Sequence, residues 1–154
     1  LLNERVTMKK IFIISIALII SGTQTAQAMT NVSVVNKNKI SSKNGLVTLK
    51  VSNLPKSNGI YISQCMAIKQ GEVAPSACNS AMSSKLWISD IPVDIKMGAK
   101  SSKSKLTLKV DKYFDNGDCV HTKCILFVSN DHNASSDQSE NQAIPFKFSG
   151  INLF

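Results

Sequence analysis

The sequence predicts an all-β fold, a two-sheet antiparallel sandwich, on three observations. Short segments alternate apolar and polar residues, turn signals separate them, and no ten-residue segment beyond residue 28 carries a helical period. The third observation is length: 154 residues make one domain with one core, and no repeat or linker suggests a second. A composition 43% hydrophobic and 18% charged excludes a chain disordered throughout.

Met8-Lys9-Lys10 forms a short basic region, and Ile11 to Ile20 is apolar apart from Ser15. That run is too short for a bilayer span, which needs roughly 20 residues. Ala26-Gln27-Ala28 supplies the small-x-small pattern of a signal-peptidase site. Residues 1–28 are therefore read as a secretory signal whose translation starts at Met8, and residues 29–154 as the exported domain, with no membrane span of its own. The short Lys-Lys signal has a bacterial look, so the acceptor patterns Asn31-Val32-Ser33 and Asn133-Ala134-Ser135 are not read as glycosylated.

Strands are expected at Val32 to Val35, Leu46 to Val51, Ile60 to Met66 and Leu106 to Val110, where alternation gives one buried and one wet face. Val47, Leu49, Val51, Leu106, Leu108 and Val110 are the inward candidates. Cys124 to Val128 is a continuous apolar run typical of a central strand, and Ala143 to Phe148 alternates again. Asn44-Gly45, Pro55 to Gly59, Asp115 to Asp118 and Ser129 to Asn141 carry the turn and loop chemistry. Residues 83–105 are the least regular. Leu86-Trp87-Ile88 and Ile91 to Ile95 are expected as one strand broken by Pro92 or as two edge strands, followed by a solvated lysine-serine loop.

Four cysteines in an exported chain point to two disulfides, and spacing alone leaves three pairings open. Cys119-x-His121-x-x-Cys124 also has the elements of a zinc site, set aside because export oxidises thiols and the spacing matches no zinc ribbon or finger.

Tyr61-Ile62-Ser63-Gln64-Cys65, Ala77-Cys78-Asn79, Leu106 to Val110, Phe114 to Cys119 and Cys124 to Asn130 resemble, in order and approximate spacing, the landmarks of the neocarzinostatin family over residues 44–148. The resemblance implies a secreted, seven-stranded, immunoglobulin-like Greek-key sandwich with disulfides Cys65–Cys78 and Cys119–Cys124. It also implies a non-enzymatic apoprotein that carries a small apolar ligand in an open cleft. In the family that ligand is an enediyne chromophore which, once released, damages DNA, the basis of an antibiotic and antimicrobial activity.

Carried over residue by residue, the cleft falls on Ala67, Ser83, Tyr113, Phe114, Phe127, Ser129 and Asn130. Ser129 matches the family's cleft serine, and Asn130 stands where the family's namesake has aspartate. Ala67 and Met82-Ser83 stand where rings are expected, and Tyr113-Phe114 lies in a shortened version of an aromatic-bearing loop. Phe127 replaces a glycine, so it either fills the cleft or becomes its floor. The fold is expected to be kept and the enediyne pocket altered.

Other function classes are weighed on the same residues. His121 and His132 are the only histidines, and neither accompanies a nucleophile-elbow serine or a free cysteine, so no catalytic residue and no cofactor is assigned. Asp90 and Asp94 are read as solvent-facing edge charges. Over residues 29–154 the net charge is +6 with no arginine, which speaks against sequence-specific nucleic-acid reading, because guanine recognition leans on arginine. The expected partners are thus a small apolar ligand or, alternatively, an envelope or cell-surface partner touched by a monomeric immunoglobulin-like interaction module.

Overall fold

Alternation translates directly into two facing sheets in the computed structural model, which describes residues 29–151; the predicted signal segment lies outside the described residues. The strands are β1 (Asn31–Val34), β2 (Leu46–Ser52), β3 (Ile60–Met66), β4 (Lys85–Ile88), β5 (Leu106–Lys109), β6 (Tyr113–Phe114), β7 (Gly117–Asp118), β8 (Cys124–Asn130) and β9 (Gln142–Phe146). On β2, Val47, Leu49 and Val51 point inward while Leu46, Lys50 and Ser52 face water. Leu108 and Leu106 of β5 lie opposite Val47 and Leu49, so the inward rows of the two strands coincide.

The first sheet has the order β1-β2-β5 and the second β4-β3-β8-β9; β6 and β7 form a separate hairpin. All pairings within the sheets are antiparallel. Seven strands in this order make an immunoglobulin-like sandwich, with the fourth strand beside the third. Between the sheets pack Val47, Leu49, Leu106, Leu108 and Val110 from one side and Ile60, Ile62, Ile88, Leu126 and Val128 from the other. Pro145, with no N–H to donate, sits on the edge strand β9.

The turn at Gly45 requires glycine. Its φ is +61°, and a Cβ there would collide with the Val110 carbonyl oxygen, while Val110 N donates to Gly45 O at 2.8 Å. Both disulfides, Cys65–Cys78 and Cys119–Cys124, are formed, and no cysteine is free. Beside them Gln64, fully buried, donates to Asp111 O at 2.6 Å and accepts from Asp111 N and Asn79 Nδ2 at 2.9 Å. The Gln-Cys and Cys-Asn dipeptides thus pin the disulfide loop and the β5–β6 connection to one strand.

Three expectations are corrected. Pro92–Lys96 is a short helix, α1, where an edge strand was expected: Pro92 opens it, at the position where a missing N–H costs nothing. Asp94 does not face solvent. It is 3% exposed and accepts from Ser89 Oγ at 2.7 Å, so the bend into α1 is held by a buried carboxylate. Asp90 is exposed as expected, but it ties down the lysine-serine loop through Ser101 Oγ, Ser102 N and Ser102 Oγ. Burial would raise the Asp90 pKa; the hydrogen bonds from Ser102 and Ser101, with Lys103, outweigh it and hold the carboxyl below its ordinary value. The third correction is the Tyr113 to Asp118 loop, which folds as the β6–β7 hairpin with the Phe114 ring lying over Gly117.

Candidate functional site

The outer face of the second sheet is where alternation places residues that are not in the core. On β3 the outward positions are Tyr61 and Ser63, and their antiparallel partners on β8 are Ser129 and Phe127. On β4 the partners are Trp87 and Lys85. These side chains share one surface, and it is concave. Two adjoining depressions of about 450 Å³ and about 540 Å³ have Tyr61, Phe127 and Ser129 in common. Together they form one open trough. One wall carries Cys78, Met82 and Trp87; the other carries Ala74, His132 and Asn141.

The walls are tied to the sheet by specific bonds. Asn79 N donates to Gln64 O and Met66 N to Ala77 O, so the end of the 66–78 disulfide loop pairs with β3 below β4. On the other side Asn141 Nδ2 donates to Val73 O at 3.4 Å, joining the two loops. At the head of the trough Asp131, 1% exposed, accepts from Gly59 N at 2.8 Å, Trp87 Nε1 at 3.0 Å and Asn133 N at 3.0 Å. Gly59 is needed for this approach, since a Cβ would come within 2.9 Å of the Asp131 carboxylate and 2.6 Å of Ile88 O.

Trp87, Tyr61 and His132 make an aromatic cluster above that carboxylate. Ring centroids are 5.1 Å apart for Trp87 and His132, 6.1 Å for Tyr61 and His132 and 6.2 Å for Tyr61 and Trp87. The Tyr61 hydroxyl and His132 Nδ1 are 2.7 Å apart, the imidazole tautomer deciding which donates. Burial and the Asp131 charge raise the Tyr61 pKa, against a hydrogen bond from the His132 backbone, so the phenol is neutral at physiological pH. The trough is thus built of aromatic faces and neutral hydroxyl and amide groups, with Lys85 and Asp137 among its lining.

Of the residues expected at a cleft, Phe127, Ser129 and Asn130 line the trough, and Phe127 is half-buried, lining it without closing it. Asn130 is 5% exposed and already engaged, accepting from Asn58 Nδ2 at 2.7 Å and donating to Asp137 O at 2.8 Å; it holds the loop. Ala67 lines a different depression, with Ser76 and Asn116. Ser83 lies exposed on the one-turn 3₁₀ helix at the rim. Tyr113 is exposed and Phe114 packs against the core, so neither lines the trough. His121 Nδ1 donates to Asp118 Oδ2 at 2.8 Å, and the cysteines flanking it are bonded to each other, so neither sulfur is a thiolate ligand.

Sequence reasoning missed the roles of Tyr61, Ser63, Trp87, Asp131 and His132. A usable signal was present for two of them: Tyr61 and Ser63 alternate with buried Ile60, Ile62 and Gln64, so an aromatic was placed on a face read as wet.

No family model matches the chain, and a search of curated proteins found no match. Among solved structures the chain is similar to macromomycin at 16% sequence identity and a TM-score of 0.44, over 78% of this chain and 99% of that one. A likeness at that level says nothing of a shared ligand.

Proposed function

We propose that the protein is a secreted, non-enzymatic carrier that holds a small apolar ligand in the trough over β3 and β8. The observation that carries this reading is Phe127, which lines the trough where it could have filled it. An apolar ligand lying along Phe127 buries one face against the rings of Tyr61 and Trp87, each Å² removed from water contributing about 25 cal/mol. Ser63, Ser129 and His132 offer polar contacts that fix its orientation. The walls are pre-ordered by the Cys65–Cys78 bridge and the Asp131 hydrogen bonds, which lowers the ordering cost of binding. Ala67 and Ser83 lie off the trough, so the cargo rests on Phe127, Tyr61 and Trp87, a ring set unlike the one the enediyne resemblance implied.

Native mass spectrometry of the protein secreted by its own host, beside recombinant refolded protein, tests the reading. The expected result is a noncovalent small-molecule mass on the host sample alone, with both disulfides formed in each. Host protein free of any adduct contradicts the carrier. It supports a second reading, an immunoglobulin-like module that grips an envelope or cell-surface partner. The rim favours that reading in one respect: Val73 and Met82 are 64% and 83% exposed apolar side chains.

A further inference from the structure

At the end of β8 opposite the aromatic cluster, three lysines share a groove of about 410 Å³. Lys147 N donates to Lys37 O at 2.8 Å, which sets these two residues side by side. Cys124 pairs with Phe146, so Lys123 and Lys147 follow each other across the same ladder, one step beyond its end. All three are exposed, Asn38 and Pro145 complete the walls, and among the described residues no carboxylate lines the groove. Among the described residues the one ion pair of a lysine is Lys109 with Asp111, elsewhere on the surface. Like charges opposite one another across a ladder are destabilising. An anion entering the groove relieves that repulsion.

The groove also restricts the kind of anion. Lysine is a compact point charge, suited to separate phosphate groups and lacking the planar fork with which arginine grips a carboxylate. Phe146 is 4% exposed and offers no ring face, so nothing in the groove stacks a nucleobase. What remains is charge, spread over three lysines from separate stretches of chain, and the exposed ring of Pro145. We propose that the groove binds a flexible polyol-phosphate chain, successive phosphates contacting Lys37, Lys147 and Lys123.

The test titrates the disulfide-intact protein with poly(glycerol phosphate) over a series of salt concentrations. Two triple variants are compared: Lys37→Ala/Lys123→Ala/Lys147→Ala, and Lys96→Ala/Lys103→Ala/Lys105→Ala, which removes the same charge from the end of α1 and the lysine-serine loop that follows it. Wild type is expected to bind at low salt. The groove triple is expected to lose about tenfold in affinity, and its log-affinity against log-salt slope is expected to fall by about three, one per lysine. The loop triple is expected to lose much less. Lys123→Gln alone, expected to lower the slope by about one, keeps the test decisive if a triple variant does not fold. Three results overturn the proposal: no binding by wild type, equal losses in the two triples, or hyaluronate or a single-stranded oligonucleotide of equal charge binding as tightly as the polyol phosphate.

Discussion

Asp131 holds more of the candidate site together than any residue that touches the trough more fully. One buried carboxylate accepts the Gly59 amide, the Trp87 indole and the Asn133 amide. Replacing it by alanine leaves three donors without their acceptor. Asp131→Ala is expected to cost about 2–4 kcal/mol in urea denaturation, and Asp131→Asn, which keeps an acceptor oxygen, clearly less. Trp87 is the only tryptophan of the chain, so its emission reports the same event and is expected to shift to the red as the ring loosens. An unchanged spectrum in Asp131→Ala contradicts the role given to the indole bond. Phe127 and Ser129 were reached through the family resemblance, whose landmark Cys124 to Asn130 coincides with β8. The contact of Trp87 with Asp131 was not legible, since it joins residues 44 apart through a strand pairing that no local pattern announces.

Elements with a clear period were the legible part of the fold. β2 and β5 show alternation, and their inward rows are the ones expected. Helix α1 gave no such signal, because five residues are too few to display a helical period and Pro92 is ambiguous between edge strand and helix start. The disulfide-bounded elements differ in what they stabilise. Cys65–Cys78 closes a loop with a sequence separation of 13 and forms part of a trough wall; Cys119–Cys124 closes one of 5. From loop entropy, Cys65→Ser/Cys78→Ser is expected to lose about 3 kcal/mol and Cys119→Ser/Cys124→Ser about 2 kcal/mol. Thermal unfolding measures the order, and only the first pair is expected also to weaken binding of an apolar probe in the trough. Equal effects of both pairs on probe binding contradict the assignment of the 66–78 loop as a wall.

Across the whole molecule the two ends of β8 have opposite chemistry. Aromatic rings, hydroxyls and the carboxylates of Asp131 and Asp137 gather near Ser129, and lysines gather near Cys124. The sandwich between them has a core shared by both sheets, and the residues lining the trough and the groove do not overlap. The net positive charge read from the sequence is here resolved into a place. That resolution needed the structure, because Lys37, Lys123 and Lys147 come from three distant stretches of chain.

The most direct measurement is a titration of 1-anilinonaphthalene-8-sulfonate into the folded protein, followed by Trp87 fluorescence and repeated with Ser129→Tyr, which narrows the trough without disturbing the core. The account predicts a saturable change in Trp87 emission for wild type and an affinity lowered about tenfold or more in the variant, as expected when a concave site is filled. No saturable change, or equal affinity in Ser129→Tyr, would contradict the claim that the face over β3 and β8 is a ligand site.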